Sequence, residues 1–302
     1  MHFDRYGLWG KRTWAFRLFK LHHTELNQLY WSYVPTRSDA QHKTRRVDPS
    51  TETDTIFTIN ADLKRRISPQ IAGWKSDFAN FDNWVRLSAL ISLLSYLEIY
   101  IRNVAVAAID SDPLLVMGFS RLIDGLTVLK SGKPRNTFFD TERFVKGDWT
   151  QRMTQYRETF GPPPQVLIEN HSELEQMRKL RNTFAHRFGR VEQGDHSKPI
   201  AIGHEMERLT ERRLQKWLGI VEQVALAIDE HVGAQYIGEY ETLAFYHQWI
   251  SEPQAAQQQW GVARPQPGNR REQDLATALG TIFGRHPGLQ FCRELITYYE
   301  RI

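Results

Sequence analysis

Within Leu180-Arg181-Asn182-Thr183-Phe184-Ala185-His186-Arg187-Phe188-Gly189, an arginine followed directly by an asparagine is separated from a histidine by four residues. These side chains suit phosphate chemistry. A guanidinium forks onto a phosphate and offsets the charge that builds on its oxygens. An imidazole titrates near neutral pH and moves a proton, and a carboxamide holds either group by a neutral hydrogen bond. Nothing else in the 302 residues offers comparable chemistry. Gly-rich phosphate loops, nucleophile elbows and paired carboxylates are absent from the sequence. His22, His23, His196 and His204 have no partners at zinc-site spacing and read as bland surface residues.

The segment reads as a helix opened by Ser172 and Glu175, a capping-box pattern, and closed near Gly189. At about 100° per residue, Leu174, Met177, Leu180, Phe184 and Phe188 share one face, and Arg181 falls among them. Arg178, Asn182, Ala185, His186 and Gly189 occupy another face, where small Ala185 and Gly189 let a substrate or a second backbone approach. From Asp82 to Asp110 a second helix is expected, because Trp84, Leu87, Ile91, Leu94, Ile101, Ala105 and Ala108 recur three and four apart. Glu98 lies inside that stripe. Two opposite charges thus intrude on apolar faces, and we expect Glu98 to meet Arg181 and orient its guanidinium. The alternative from the residues alone is a purely structural ion pair and a solvated His186. Arg208, Arg212, Arg213 and Lys216 recur along the next helix, where a basic row either tracks an RNA backbone or is simply a solvated face. Arg178, Arg208, Arg212 and Lys216 are the candidate RNA contacts.

The Arg181-Asn182 pair and His186 resemble the signature of the HEPN superfamily, small helical bundles whose motif is Arg, four to six residues, then His, very often with Asn after the Arg. The resemblance implies a metal-independent endoribonuclease with no cofactor, acting as a toxin or in antiviral defence. In that role Arg181 and His186 are catalytic, and Asn182 and Glu98 support them. It further implies cleavage of single-stranded RNA, a homodimer or higher even-numbered assembly with a composite site, and a possible antitoxin or defence partner protein. Some members have lost the chemistry and only dimerise or bind, so a non-catalytic module stays open, as does a plain helical nucleic-acid-binding protein.

The elements that must position these residues are helical. Hydrophobic residues make up 41% and aromatics 12%, which places the chain among globular proteins. Net charge is only +4, yet the sequence pI is about 9.1 and Arg outnumbers Lys, a bias suited to forked phosphate contacts. A lone Cys292 excludes an internal disulfide and fits a reducing cytoplasm. The first twenty residues have no continuous apolar core, so neither signal peptide nor anchor is expected. Leu87 to Ile109 is mostly apolar, but its Ser88, Glu98, Arg102 and Asn103 fit a buried bundle helix better than a bilayer span.

We expect an all-α, antiparallel, HEPN-like bundle over residues 56–233. An aromatic-rich segment, 1–55, would precede it, and a C-terminal extension, 234–302, would follow. Thr36 to Asp54 reads as a loop and Ser251 to Asp274 as an exposed linker. Helices are expected over Thr141–Phe160, over Glu205–Val232 with Leu214, Trp217, Val221, Val224 and Ile228 on one stripe, and over Leu275–Ile302 with a break at His286-Pro287-Gly288.

Overall fold

The computed structural model describes residues 2–8, 11–132, 140–187, 207–265, 270–284 and 286–302, and only the helical backbone of His186 and Arg187. The chain is all-α: among the described residues there is no strand, and a single isolated bridge joins Glu52 to Gln70. The α-helices are α1 (Trp14–Thr44), α2 (Thr53–Ile56), α3 (Ile71–Ser111), α4 (Gly125–Lys130), α5 (Trp149–Phe160), α6 (Gln165–Glu169), α7 (His171–Arg187), α8 (Glu211–Val232), α9 (Tyr240–Ser251), α10 (Pro253–Trp260), α11 (Arg271–Phe283) and α12 (Leu289–Arg301).

Several expectations hold. On α8, Leu214, Trp217, Val221, Val224 and Ile228 are all buried, and the chain breaks between α11 and α12 around Pro287. Others are corrected. Helix α1 runs through Pro35 to Thr44, so Thr36–Thr44 is helix rather than loop. Buried Thr44 anchors that end by donating its hydroxyl to Ala40 O at 2.9 Å. Helix α3 begins at Ile71, well before Asp82. Thr141–Phe160 is divided. A short 3-10 turn, Thr141–Phe144, precedes Gly147, whose positive φ of 78° suits glycine, and α5 then starts at an Asp148–Gln151 capping box. Ser251–Asp274 is not a bare linker either: α10 opens with Pro253, and Ala256 and Val262 are buried. Proline is well tolerated at a helix start, and two small apolar residues among glutamines leave no periodic signal.

Helix α3 is the one described helix long and apolar enough to cross a membrane by length and composition, with 50% of its most apolar window buried inside the protein.

The chain divides into two compact units built from non-consecutive pieces. The first holds Met1–Lys20, Leu97–His171 and Gln223–Ile302, and the second Leu21–Tyr96 and Ser172–Glu222. In the first unit Leu243, Tyr246 and Trp249 of α9 join Leu275 and Leu279 of α11 and Phe291 and Leu295 of α12 in one apolar cluster. Arg5 is buried and forks onto Asp124 at 2.9 and 3.0 Å while donating to Ile237 O at 2.9 Å. Gly125 follows Asp124 where a Cβ would overlap Asp110 O at 1.8 Å, so only glycine lets α4 start there.

The second unit packs Leu26 and Tyr30 of α1, Leu87, Leu90, Leu93 and Leu94 of α3, Leu174, Met177 and Leu180 of α7, and Leu214 and Trp217 of α8 into its interior. Its α3 segment buries an unexpected pair. Asp82 and Asn83 are inside, whereas Trp84, expected in the apolar stripe, is 45% exposed. Burial of these polar groups is tolerated because each is satisfied. Asp82 binds Arg86 at 2.5 Å and Arg37 at 3.3 Å. Asn83 donates to Glu207 O and accepts from Leu209 N, both at 2.8 Å.

Candidate functional site

Helix α7 presents the motif. Its apolar face forms as the spacing predicts: Leu174, Met177, Leu180 and Phe184 are buried. Arg181 sits half-buried at the margin of that face with its Nε out of solvent, and Asn182 is likewise half-buried. Ala185 is exposed, leaving the α7 surface one turn beyond Arg181 accessible. His186 belongs to α7 by its backbone, but its side chain lies outside the described residues, as do Phe188, Gly189, His196 and His204.

The start of α7 differs from the expected capping box. The helix already includes His171, so Ser172 stands inside the first turn. Glu175 instead takes the Arg178 fork, with Nε at 2.9 Å and NH2 at 2.7 Å. This i,i+3 pair uses both prongs of a guanidinium proposed to contact RNA.

Helix α8 supplies the basic row, shortened at one end. Arg208 precedes the helix, which starts at Glu211, so only Arg212, Arg213 and Lys216 lie on it. Arg208 and Arg212 are exposed. Arg213 donates to Gln176 Oε1 at 2.7 Å and lies over the Trp217 ring at 4.4 Å. Lys216 binds Glu173 at 2.5 Å, and the indole N–H of Trp217 donates to the other oxygen of Glu173 at 2.7 Å. The Lys216 and Trp217 donors hold the Glu173 carboxyl below its ordinary range. Glu173 therefore ties α7 to α8. Sequence reading missed it, although an acid in the first turn of a helix is itself a recognisable signal.

A second polar cluster was equally unexpected. Arg37 binds Glu211 at 2.6 Å, and Tyr30 donates to Glu211 at 3.2 Å. With Asp82 and Arg86 they form a network around the start of α8. Its one legible sequence signal is the i,i+4 spacing of Asp82 and Arg86. Burial, then the neighbouring Asp82 carboxylate, pushes the Tyr33 hydroxyl up to about 12. His23, expected at the surface, is buried with Nε2 3.1 Å from Leu218 O.

Glu98 belongs to the first unit, where Arg152 NH2 donates to it at 3.0 Å. Arg181 belongs to the second. Of the sequence-derived residues, Arg178, Arg181, Asn182, Arg208, Arg212 and Lys216 thus share one unit. Among the described residues, no three of His, Cys, Asp and Glu are grouped as a metal ion would require.

Compared with protein-family models, with curated proteins and with solved structures, the chain has no significant match in any of the three.

Proposed function

We propose that this chain is a metal-independent endoribonuclease that cuts single-stranded RNA through the RNA's own 2'-hydroxyl. One observation carries the reading: Arg181 is half-buried at the margin of α7, beside Asn182 and one turn from exposed Ala185. A long, flexible charge held at a helix margin would lose less freedom on meeting a phosphate, which supports the reading. The exposed Arg208 and Arg212 add positive charge in the same unit.

In the proposed reaction a histidine base takes the 2'-hydroxyl proton and the 2'-oxygen attacks phosphorus. Arg181 neutralises the equatorial oxygens, and the 5'-oxygen leaves with a proton from an acid. Products are a 2',3'-cyclic phosphate and a 5'-hydroxyl. DNA lacks the nucleophile and is not cut. A role in the cytoplasm as a toxin or antiviral-defence effector, with a neutralising or activating protein partner, belongs to the same proposal and rests on the HEPN resemblance.

The ion pairs already occupying Arg178 and Lys216 favour a second reading, a non-catalytic module that dimerises or binds a ligand. The deciding measurement is cleavage of a labelled single-stranded RNA in EDTA by the wild-type chain and by His186→Ala. Cutting that depends on His186 supports the nuclease. Binding without cutting points to a nucleic-acid-binding protein, and neither binding nor cutting to the non-catalytic module.

A further inference from the structure

Burying Asp82 and Asn83 turns the aromatic side of α3 outward. Trp74, Phe78, Phe81 and Trp84 follow one another along that helix at spacings of four, three and three, which keeps them close to one face. Their rings form a continuous ladder. Trp74 and Phe78 stack at 4.8 Å with planes 12° apart, Phe78 follows Phe81 at 6.2 Å, and Phe81 and Trp84 lie 6.2 Å apart with planes 18° apart. Phe57 closes the other end against Trp74 at 4.5 Å. Phe81 is 47% and Trp84 45% exposed, so the ladder ends in open rings. From Trp74 to Trp84 the helix rises about 15 Å, the reach of a short single strand.

Beside the ladder lies a cleft of about 480 Å³ whose walls include Trp74 and Phe78 and whose polar lining is Ser38, Gln41, His42, Thr44, Arg45 and Lys75. No carboxylate lines it. Among the described residues neither Arg45 nor Lys75 makes an ion pair, although carboxylates pair with Lys43 and Lys64 in the same unit. Two such cations beside a row of aromatic rings that ends in exposed Phe81 and Trp84 are complementary to a chain of phosphates carrying flat bases.

We propose that this face of α3 is a single-stranded nucleic-acid platform, with a backbone phosphate between Arg45 and Lys75 and bases stacked on Phe81 and Trp84. Stacking on aromatic side chains is tolerant of base identity, so the platform holds a strand without selecting its sequence. In the nuclease reading it is where the substrate is gripped outside the Arg181 motif, but binding here does not depend on cutting.

The test is fluorescence anisotropy of a labelled uridine oligonucleotide on the full chain carrying His186→Ala, so that nothing is cut. Phe81→Ala with Trp84→Ala changes only exposed rings and should weaken binding by on the order of ten-fold or more. Trp84→Tyr, which keeps a ring, should restore most of the affinity lost in Trp84→Ala. Arg45→Gln with Lys75→Gln should lower the slope of log affinity against log salt by about 0.7, the value for the one phosphate the two cations share. Wild-type affinity in the double alanine variant would overturn the platform. So would a halved molecular mass in that variant with RNA binding intact, since the face would then join two copies. A chain that binds RNA through Trp84 yet cuts none keeps the platform and loses the nuclease. A chain whose Phe81, Trp84 variant binds and cuts as wild type keeps the nuclease and loses the platform.

Discussion

A guanidinium presents two parallel N–H donors in a plane, and a contact that uses both cannot be rebuilt from an ammonium. If Arg181 grips the scissile phosphate in that way, Arg181→Lys should cut RNA almost as poorly as Arg181→Ala although it keeps the charge. Single-turnover cleavage rates of the two variants decide this, and wild-type cutting by Arg181→Lys would show that charge alone suffices. Glu173 makes a second residue-level expectation. Its carboxylate accepts the indole N–H of Trp217, whose ring is fully buried. Leaving a buried donor unmatched costs about 1 to 3 kcal/mol, so Glu173→Ala should destabilise by that order in urea unfolding. Glu173→Gln keeps an acceptor and should lose clearly less. Equal losses would assign the effect to the exposed Lys216 pair instead, where little is expected because surface ion pairs contribute about 0 to 1 kcal/mol.

Elements behave as their two faces require, and α3 shows it over its whole length. Leu90 is fully buried on this helix and Trp84 is exposed, although the spacing of apolar residues placed Trp84 in the interior. Leu90→Ala should therefore cost about 2 to 5 kcal/mol, the range for truncating a buried leucine, while Trp84→Ala should stay within about 0.5 kcal/mol, as surface substitutions do. Thermal or urea unfolding of both variants checks the burial pattern directly, and comparable losses would contradict it. Helix α7 carries the other element-scale consequence. Arg181 and His186 are five residues apart, which on an ideal helix means about 140° of rotation and about 7.5 Å of rise. One undistorted helix does not easily aim both at a single phosphate.

At the scale of the molecule that separation argues for a partner. Transesterification of RNA needs a base and an acid, and each chain has one motif histidine. A two-fold dimer packed near exposed Ala185 would bring two Arg181 and two His186 into one cleft. Heterodimers of wild type with His186→Ala should accordingly show well below half of wild-type activity, whereas half would mean that each chain works alone. Stability should also depend on pH, through the first unit. Asp229 is buried and accepts both the hydroxyl and the backbone N–H of Thr13, yet burial pushes it up from 3.8 to about 6. Burial likewise raises Glu241 from 4.5 to about 7 against the Trp14 N–H. A carboxyl whose pKa is raised on folding stabilises the fold fully below its unfolded value, and that contribution is lost as pH rises through the folded one. Stability should therefore decline between about pH 4 and pH 7. Asp229→Asn, whose amide can donate to the Thr13 hydroxyl, should flatten the lower part of the decline. Denaturation at closely spaced pH values measures it, and an unchanged slope would remove Asp229 as a cause.

Periodicity along the chain determined that this protein is all-α. It set the buried stripe of α8 from Leu214 to Ile228, because helical burial repeats every three to four residues whatever it packs against, while glycine and proline marked the end of α5 before Gly161 and the break before α12. It also put Arg181 at the edge of an apolar face, since a helix carries every side chain around by a constant angle. Only the tertiary structure decided which polar residues go inside. Asp82 and Asn83 are buried because Arg37 of α1 and the backbone of Glu207 and Leu209 reach them, and partners that distant leave no spacing to read. The same remote contacts expose Trp84, and Glu175 meets Arg178 rather than Ser172 because the helix starts two residues earlier than its capping pattern suggests. A sequence shows which residues carry charge or rings; the neutralisation of those charges and the covering of those rings depend on chain segments brought together by the fold.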